Sequence, residues 1–152
     1  SSYAFARGTP GRDAGPPSGA DGVTTPVRCA ASWTTAAIGD WVCEHRDETV
    51  RRMVRFRRDM AGAGVERFWD NGANAIAFSR GARGFVAISR ETSAVTATVP
   101  SGLPPGTYCD VLAGGRVGAA CAGATVVVGP DGAVALSLPA NSAIVLQAGV
   151  GL

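Results

Sequence analysis

The sequence predicts a mostly β fold: an irregular loop and one α-helix, followed by about eight short strands in a sandwich or barrel. Three observations support this prediction. The apolar runs in residues 66–152 are short and end at Gly or Pro, as strands do. They recur at regular spacing, which is typical of sandwiches and barrels. Only residues 44–61 have the periodicity of an amphipathic helix.

The first 28 residues contain nine Gly and Pro residues, and no periodic apolar face survives among them. Such a composition predicts an irregular or disordered segment. Tyr3 and Phe5 alternate with alanines, so we expect the first residues to form the end of a strand. A loop of this length is an unusual start for a free-standing domain, which favours a connection that follows a strand of a larger fold.

In residues 44–61 the apolar side chains share one broad stripe and most arginines lie opposite, which predicts a helix that packs along one face. Asp40 is the expected N-cap, and Gly62 is expected to end the helix. Arg46 and Arg57 break the pattern because both project within the stripe. The stripe consists of Val50, Met53, Val54, Phe56, Met60 and Ala61.

The remaining residues, 66–152, are predicted to alternate between strands and tight turns. Thr96, Thr98, Ser137 and Gln147 are the expected outward-facing positions of these strands. The predicted strands cover residues 75–78, 85–88, 107–111, 125–128, 133–138 and 143–147, with turns or loops at 79–84, 102–106, 129–132 and 139–142.

The bulk composition limits the classes of partner. The net charge of +2 over 152 residues is too small to indicate a nucleic-acid partner, and acidic residues interleave with the arginines of the helix. No apolar run has the length that a membrane helix needs. All fourteen basic residues are arginines, which we attribute to coding bias rather than to function. We therefore expect neither a nucleic acid nor a membrane as partner.

The chain has four cysteines: Cys29, Cys43, Cys109 and Cys121. None of their spacings matches a CxxC metal site, and the single histidine, His45, does not complete a usual zinc ligand set. An even count in two local pairs suits two disulfides and an oxidising compartment. Free, buried thiols are the alternative.

Three further features could mark binding sites, and each also has a structural explanation. For His45, a structural hydrogen-bonding role is favoured over metal binding or catalysis. The arginine- and glycine-rich loop at residues 79–84 could bind phosphate, but no helix follows it, so a solvated hairpin loop is favoured. Among the aromatic residues, Trp33 in its Thr-rich segment is the best candidate for sugar contact, whereas Trp41 and Phe68 are expected in the core.

Four segments of the chain resemble the alpha-amylases of animal type, which are glycoside hydrolases with a (β/α)8 barrel. FWDNGANAIAFSRGARGFVAIS and SGLPPGTYCDVLAG, at residues 68–89 and 101–114, are similar to the C-terminal domain of that family. DWVCEHRDETVRRMVRFRRDM, at residues 40–60, resembles its last barrel helix. Residues 1–3 and 13–17 resemble the segment that follows its last barrel strand. The four matches occur in the family's order and span nearly the whole chain.

The resemblance implies a division at residues 62–63. Residues 1–62 would be the last loop and helix of a truncated (β/α)8 barrel, and residues 63–152 a C-terminal Greek-key β-sandwich. It also supports the pairs Cys29–Cys43 and Cys109–Cys121, because both fall where the family places disulfides. The full enzyme would be a secreted, extracellular glycosidase that cleaves internal α-1,4-glucosidic bonds of starch and glycogen with retention of configuration.

The same resemblance implies that this chain carries no catalytic residue. The family's nucleophile, acid/base and third carboxylate lie upstream of Ser1, as do the motifs that bind calcium and the arginine that binds chloride. Calcium and chloride are therefore implied for the full enzyme, and no cofactor or metal is expected in this chain. Its partner would be the catalytic barrel, to which it contributes structure, and the chain alone is expected to be inactive.

The carboxylates of the chain agree with that expectation. A retaining glycosidase needs two carboxyl groups about 5 Å apart across the sugar. The pairs Asp40 with Glu44 and Asp47 with Glu48 lie at or before the start of the helix, where capping and solvation explain them. Asp70, within the sequence WDNG, is expected to be a turn residue rather than a general base.

Two alternatives to this interpretation remain open at this stage. The sandwich could be a non-catalytic carbohydrate-binding or interaction module that acts through its own surface. The chain could also be a truncated or degenerate reading frame without independent function.

Overall fold

The computed structural model describes residues 5–6, 16, 18–31 and 41–152, and the chain divides into two compact units, Ser1–Arg51 and Arg52–Leu152. In the first unit, strand β1 (Phe5–Ala6) pairs antiparallel with β2 (Trp41–Val42), and a single 3-10 turn spans Glu44–Arg46. β1 lies where the sequence predicted the end of a strand. Helix α1 (Glu48–Asp59) begins in the first unit and continues into the second.

The second unit contains two four-stranded antiparallel sheets, which confirms the predicted sandwich. Their strands follow each other as β3 (Val65–Asp70), β4 (Ala75–Arg80), β5 (Gly84–Ser89), β6 (Val95–Pro100), β7 (Gly106–Cys109), β8 (Arg116–Val117), β9 (Ala120–Cys121), β10 (Thr125–Val128), β11 (Ala133–Leu138) and β12 (Ala143–Gln147). One sheet has the order β12-β5-β4-β3, and the other has the Greek-key order β6-β11-β10-β7. β8 and β9 form a small separate hairpin.

The core lies between the two sheets, because alternate residues of each strand point inward. Phe85 and Leu146 from the first sheet meet Val99, Val134 and Leu138 from the second, and all five are almost fully buried. Complete burial of side chains of this size contributes about 1.5–3 kcal/mol each. Thr96, Thr98 and Ser137 are exposed, as predicted, while Gln147 is half-buried.

The sheet that contains β5 and β12 is covered on its other face as well. Phe56 and Met60 of α1 are buried there against Val86 and Val145, whose neighbours along each strand point into the sandwich core. Because both faces of β5 are covered, five of its six residues are buried rather than every second one. The helix is thus a third layer on this sheet.

The carboxyl end of α1 is held by the hairpin loop between β4 and β5. Arg80 donates from Nη2 to the carbonyl oxygens of Met60 (3.3 Å) and Ala63 (2.7 Å). Arg83 donates from Nη2 to the carbonyl oxygens of Asp59 and Ala61. Guanidinium groups satisfy the unpaired carbonyls and suit the negative end of the helix dipole. The loop is a hairpin, as predicted, and its two arginines donate hydrogen bonds to helix carbonyls, while Arg83 remains exposed to solvent.

The helix differs from its prediction at the amino end. It was expected over residues 44–61 with Asp40 as N-cap, and the α-helix begins instead at Glu48. Asp47 caps it, because its Oδ1 accepts hydrogen bonds from the backbone N–H of Thr49 (2.8 Å) and Val50 (3.1 Å). Asp40 lies outside the described residues. At the other end Gly62 adopts a positive φ of 78°, as expected of a residue that ends a helix.

The predicted apolar stripe of the helix is only partly buried. Phe56 and Met60 are buried and Met53 is half-buried, but the side chain of Val54 is 65% exposed, and Val50 and Ala61 are exposed too. The carboxyl half of α1 therefore packs on the sheet along part of the stripe, and the rest of the stripe is exposed in this chain.

Phe68 was expected in the core, and this expectation is wrong: the residue is 59% exposed. It lies on the edge strand β3, whose pairing with β4 shifts register between Glu66 and Trp69. Arg67, at the shift, has a φ of 50°. A bulge of this kind changes the face to which the following side chains point, so that Trp69 packs against the core instead. Trp41 is half-buried and donates from Nε1 to Thr25 Oγ1 (3.3 Å).

The contact between α1 and the sheet predicts the effect of a side chain at Gly84. A Cβ at this position would come within 2.6 Å of Met60 Sδ and 2.8 Å of Phe56 Cζ. We expect Gly84→Ala to lower the free energy of unfolding by about 1–3 kcal/mol, the usual cost of overpacking. Urea unfolding monitored by circular dichroism measures it.

Gly64→Ala is the matched control, because at Gly64 the nearest atom to an added Cβ is 4.0 Å away. Equal stability losses in the two variants would contradict the inferred close approach of helix and sheet.

Candidate functional site

The carboxylates at the start of α1 serve the helix itself. Asp47 is its N-cap, as described above. Glu48 forms an ion pair with Arg51, with 3.2 Å between Glu48 Oε2 and Arg51 Nη1. Both groups are therefore accounted for by helix structure, and the structure offers no reason to assign either of them to acid–base chemistry.

The carboxylates of the turns accept hydrogen bonds from nearby backbone groups. Asp70 Oδ1 accepts from Gly72 N (2.8 Å), and Asp131 Oδ1 accepts from Ala133 N (3.0 Å). Each bond spans two residues, which is the pattern by which Asp stabilises turns. Asp70 is thus a turn residue, in agreement with the sequence analysis.

Asp110 has a structural role that the sequence analysis missed. Its carboxylate is buried, and Oδ1 accepts hydrogen bonds from Leu112 N (3.0 Å) and Val145 N (3.1 Å). The second bond joins the segment after β7 to β12, in the other sheet. A buried carboxylate is stable only when such donors compensate its lost hydration. The sequence signal for this role was the position of Asp110 directly after Cys109, near the end of the predicted strand at residues 107–111.

Glu91 joins two loops at one end of the sandwich. Its Oε1 accepts hydrogen bonds from Asn71 Nδ2 (2.8 Å) and from the backbone N–H of Asn74 (2.8 Å). The bond from the Asn71 amide, followed by the bond from Asn74 N, lowers the pKa of Glu91 below its usual value. A carboxylate with a lowered pKa stays ionised and does not act as a general acid near neutral pH.

These arrangements give each of the six carboxylates discussed above a structural partner. A retaining glycosidase instead needs one carboxyl that can donate a proton and one that can attack carbon, facing each other across a sugar. Where the structure describes the chain, no group of three or more His, Cys, Asp or Glu side chains is placed to hold a metal ion. His45 is exposed within the 3-10 turn.

Both units have surface cavities. In the first unit a cavity of about 340 Å³ is lined by the Cys29–Cys43 disulfide together with Arg46, Asp47 and Glu48. In the second, a cavity of about 260 Å³ is lined by residues that include Tyr108 and Arg116. Arg116 donates from Nε and Nη1 to two backbone carbonyls, and Tyr108 donates from its hydroxyl to Pro104 O. Burial raises the pKa of Tyr108. Trp33 lies outside the described residues.

Both expected cysteine pairs are disulfides in the structure. The Cα atoms are 5.5 Å apart in Cys29–Cys43 and 5.2 Å apart in Cys109–Cys121. Each closes a short loop, for which the chain-entropy model gives about 3 kcal/mol. No cysteine of the described residues is free. Among the same residues, none of the helices is long and apolar enough to cross a membrane.

The bonds to Glu91 predict a pH dependence of stability. Because the pKa of Glu91 is lowered in the folded state, its ionised form stabilises the fold at pH values above the unfolded-state pKa, about 4.3 for glutamate. That contribution is lost as the pH falls through the folded-state pKa. We expect the stability difference between the wild-type chain and Glu91→Gln, measured by urea unfolding from pH 7 to pH 3, to shrink below about pH 4.3. A difference that stays constant over this range would contradict the assignment.

Comparison with known proteins identifies the family of this chain. Residues 68–149 match the family model "Alpha amylase, C-terminal all-beta domain". Among curated proteins, pancreatic alpha-amylase 2a5 of Mus musculus is 46% identical over 129 residues, which cover 85% of this chain and 25% of that protein. Pancreatic alpha-amylase of Sus scrofa is 42% identical over 148 residues, which cover 94% of this chain and 28% of the relative.

The solved structures that resemble this chain include alpha-amylases as well. Alpha-amylase I of Eisenia fetida, as the E249Q mutant in complex with maltohexaose, superposes with a TM-score of 0.73 at 36% identity. The superposition covers 97% of this chain and 31% of the Eisenia chain. This chain therefore spans between a quarter and a third of the length of these relatives. It belongs to the alpha-amylase family, and residues 68–149 are the C-terminal all-β domain of that family.

Proposed function

We propose that this chain is the C-terminal segment of a secreted alpha-amylase and that its role is structural. The full enzyme would hydrolyse internal α-1,4-glucosidic bonds of starch and glycogen. The observation that carries the proposal is the position of the match: this chain resembles relatives named alpha-amylases, and it corresponds to their C-terminal all-β domain. The structural partners of the described carboxylates support a non-catalytic role for it.

The division at residues 62–63 forms part of the proposal. Residues 1–62 would supply the last loop and helix of the catalytic barrel, and residues 63–152 the sandwich. Val54 supports a further contact of α1, because an apolar side chain that is 65% exposed in this chain could be covered by the rest of the enzyme. The catalytic barrel is the proposed partner.

Calcium and chloride, which the family resemblance implies, are proposed for the rest of the enzyme. The residues described here do not fit a metal site, since they contain no cluster of three or more potential ligands. Two disulfides support an oxidising compartment and hence an extracellular location. Carbohydrate contact by Trp33 remains a prediction from the sequence.

The first test is the activity of the chain alone. We expect the purified chain to release no reducing ends from soluble starch, because it corresponds to the C-terminal domain of its relatives and six of its carboxylates serve the helix, turns and loop contacts. Release above that of a heat-inactivated sample, abolished by one Asp→Asn or Glu→Gln change in this chain, would contradict the proposal. A pull-down with insoluble starch tests the rival function, since retention that requires Trp33 would favour a carbohydrate-binding module.

The second test is complementation. An alpha-amylase barrel that lacks this region is co-expressed with the chain, and we expect starch-hydrolysing activity to be recovered. Val54→Lys should reduce the recovered activity at least about tenfold, because a charge would be buried at the proposed contact. Val127→Lys is the matched control, since Val127 is 64% exposed on the outer face of the other sheet.

Each variant is first compared with the wild-type chain by thermal unfolding, so that only folded chains are assayed. Equal loss of activity in the two variants, or no recovery with the wild-type chain, would count against the proposed docking.

A further inference from the structure

The loop between β3 and β4 contains the dipeptide Asn71-Gly72. In such a pair the backbone nitrogen of Gly can attack Cγ of the preceding Asn, because glycine has no side chain to shield that nitrogen. A bond forms between Gly72 N and Asn71 Cγ, the bond between Cγ and Nδ2 breaks, and ammonia leaves with the proton of Gly72 N. Water then opens the cyclic imide to aspartate or isoaspartate. The two reaction steps need no oxidant and no cofactor.

In the folded loop both reacting groups are engaged in hydrogen bonds with other partners. Gly72 N donates to Asp70 Oδ1 (2.8 Å), which occupies the N–H that must be lost in the reaction. Asn71 Oδ1 accepts from Ala73 N and Ala75 N, both at 3.0 Å. The side chain of Asn71 must break these bonds to rotate its Cγ towards Gly72 N.

Glu91 provides the restraint that comes from outside the loop. Its Oε1 accepts from Asn71 Nδ2 at 2.8 Å, over a separation of 20 residues, whereas the other partners of the Asn71 side chain lie within four residues. The same oxygen accepts from Asn74 N (2.8 Å), and Arg90 N donates to Asn74 O (2.9 Å). Opening the loop therefore requires separating it from the segment that carries Glu91.

We propose that Asn71 is a deamidation site that Glu91 keeps slow in the folded chain, and that its conversion permanently removes the amide hydrogen bond between the two loops. Deamidation replaces the Nδ2 donor by a carboxylate oxygen opposite Glu91 Oε1. Two carboxylates in hydrogen-bond contact cannot both stay ionised near neutral pH without repulsion. The loops then separate, or one carboxylate takes up a proton, and neither change restores the amide.

The rate of deamidation tests the role of Glu91. Wild-type chain, Glu91→Ala and Glu91→Gln are incubated at neutral pH, and conversion at Asn71 is followed by peptide mass spectrometry. Glu91→Ala removes the acceptor, and we expect conversion about tenfold faster, the factor associated with loss of one hydrogen bond to a charged group. Glu91→Gln keeps an acceptor oxygen and should remain closer to wild type. Wild-type chain in urea gives the unrestrained rate.

Asn74 and Asn141, which precede Ala75 and Ser142, are internal references in the same digests. We expect them to convert more slowly than Asn71 in urea. Equal rates for Glu91→Ala and Glu91→Gln, or a folded wild-type chain that converts as fast as the chain in urea, would overturn the proposal.

A second measurement does not depend on the rate. Asn71→Asp imitates the product and is introduced into the wild-type and Glu91→Gln backgrounds. We expect it to lower the melting temperature in the presence of Glu91 and clearly less in the presence of Glu91→Gln, whose amide can donate to the new carboxylate. Equal losses in both backgrounds would contradict the inferred repulsion.

Discussion

The close contact between α1 and the sheet depends on the missing side chain at Gly84. Met60 and Phe56 occupy the space that a Cβ would take, so the helix lies directly against β5 and β12. This approach buries the outer face of the sheet and lets β5 be apolar on both sides. It also brings the carboxyl end of the helix within reach of Arg80 and Arg83, whose guanidinium groups could not otherwise satisfy its last carbonyls.

The division of the chain into two compact units falls within α1, between Arg51 and Arg52. Residues 52–59 of α1 belong to the compact unit of the sandwich, although the resemblance assigns the whole helix to a barrel. Isolated helices of this length are marginal in water. The helix is stabilised by the sandwich, which buries Phe56 and Met60 and provides the arginines that bind its last carbonyls. The helix therefore depends on the sandwich for part of its stability.

The sequence was sufficient for elements whose signals are local. Residues 125–128, 133–138 and 143–147 were predicted as strands and form β10, β11 and β12, because Gly, Pro and Asn fix the turns between them. Other features depend on distant contacts and had no local signal. The bulge that exposes Phe68 arises from pairing with β4, and the true N-cap, Asp47, competes with other acidic residues before the helix.

The hydrogen-bond partners of the carboxylates also depend on contacts that are distant in the sequence. Sequence inspection offered a structural explanation for the carboxylates that are close in sequence, but it could not identify what each carboxylate binds. Asp110 illustrates the difference, because its partner Val145 is 35 residues away and belongs to the other sheet. Pairing between strands places that N–H beside the carboxylate, and only the assembled sandwich provides it.

Several carboxylates in the turns and loops take part in hydrogen bonds that hold the fold together. Asp70, Asp110, Asp131 and Glu91 each accept backbone or amide hydrogen bonds that fix a turn or join two segments. At Glu91 these hydrogen bonds also lower the pKa of the carboxyl group, so that it stays ionised near neutral pH. A catalytic acid needs the reverse, a proton retained near neutral pH and room for a substrate beside it. The hydrogen bonds that join the two loops at Glu91 are therefore the same bonds that make its carboxyl group unsuited to be a general acid.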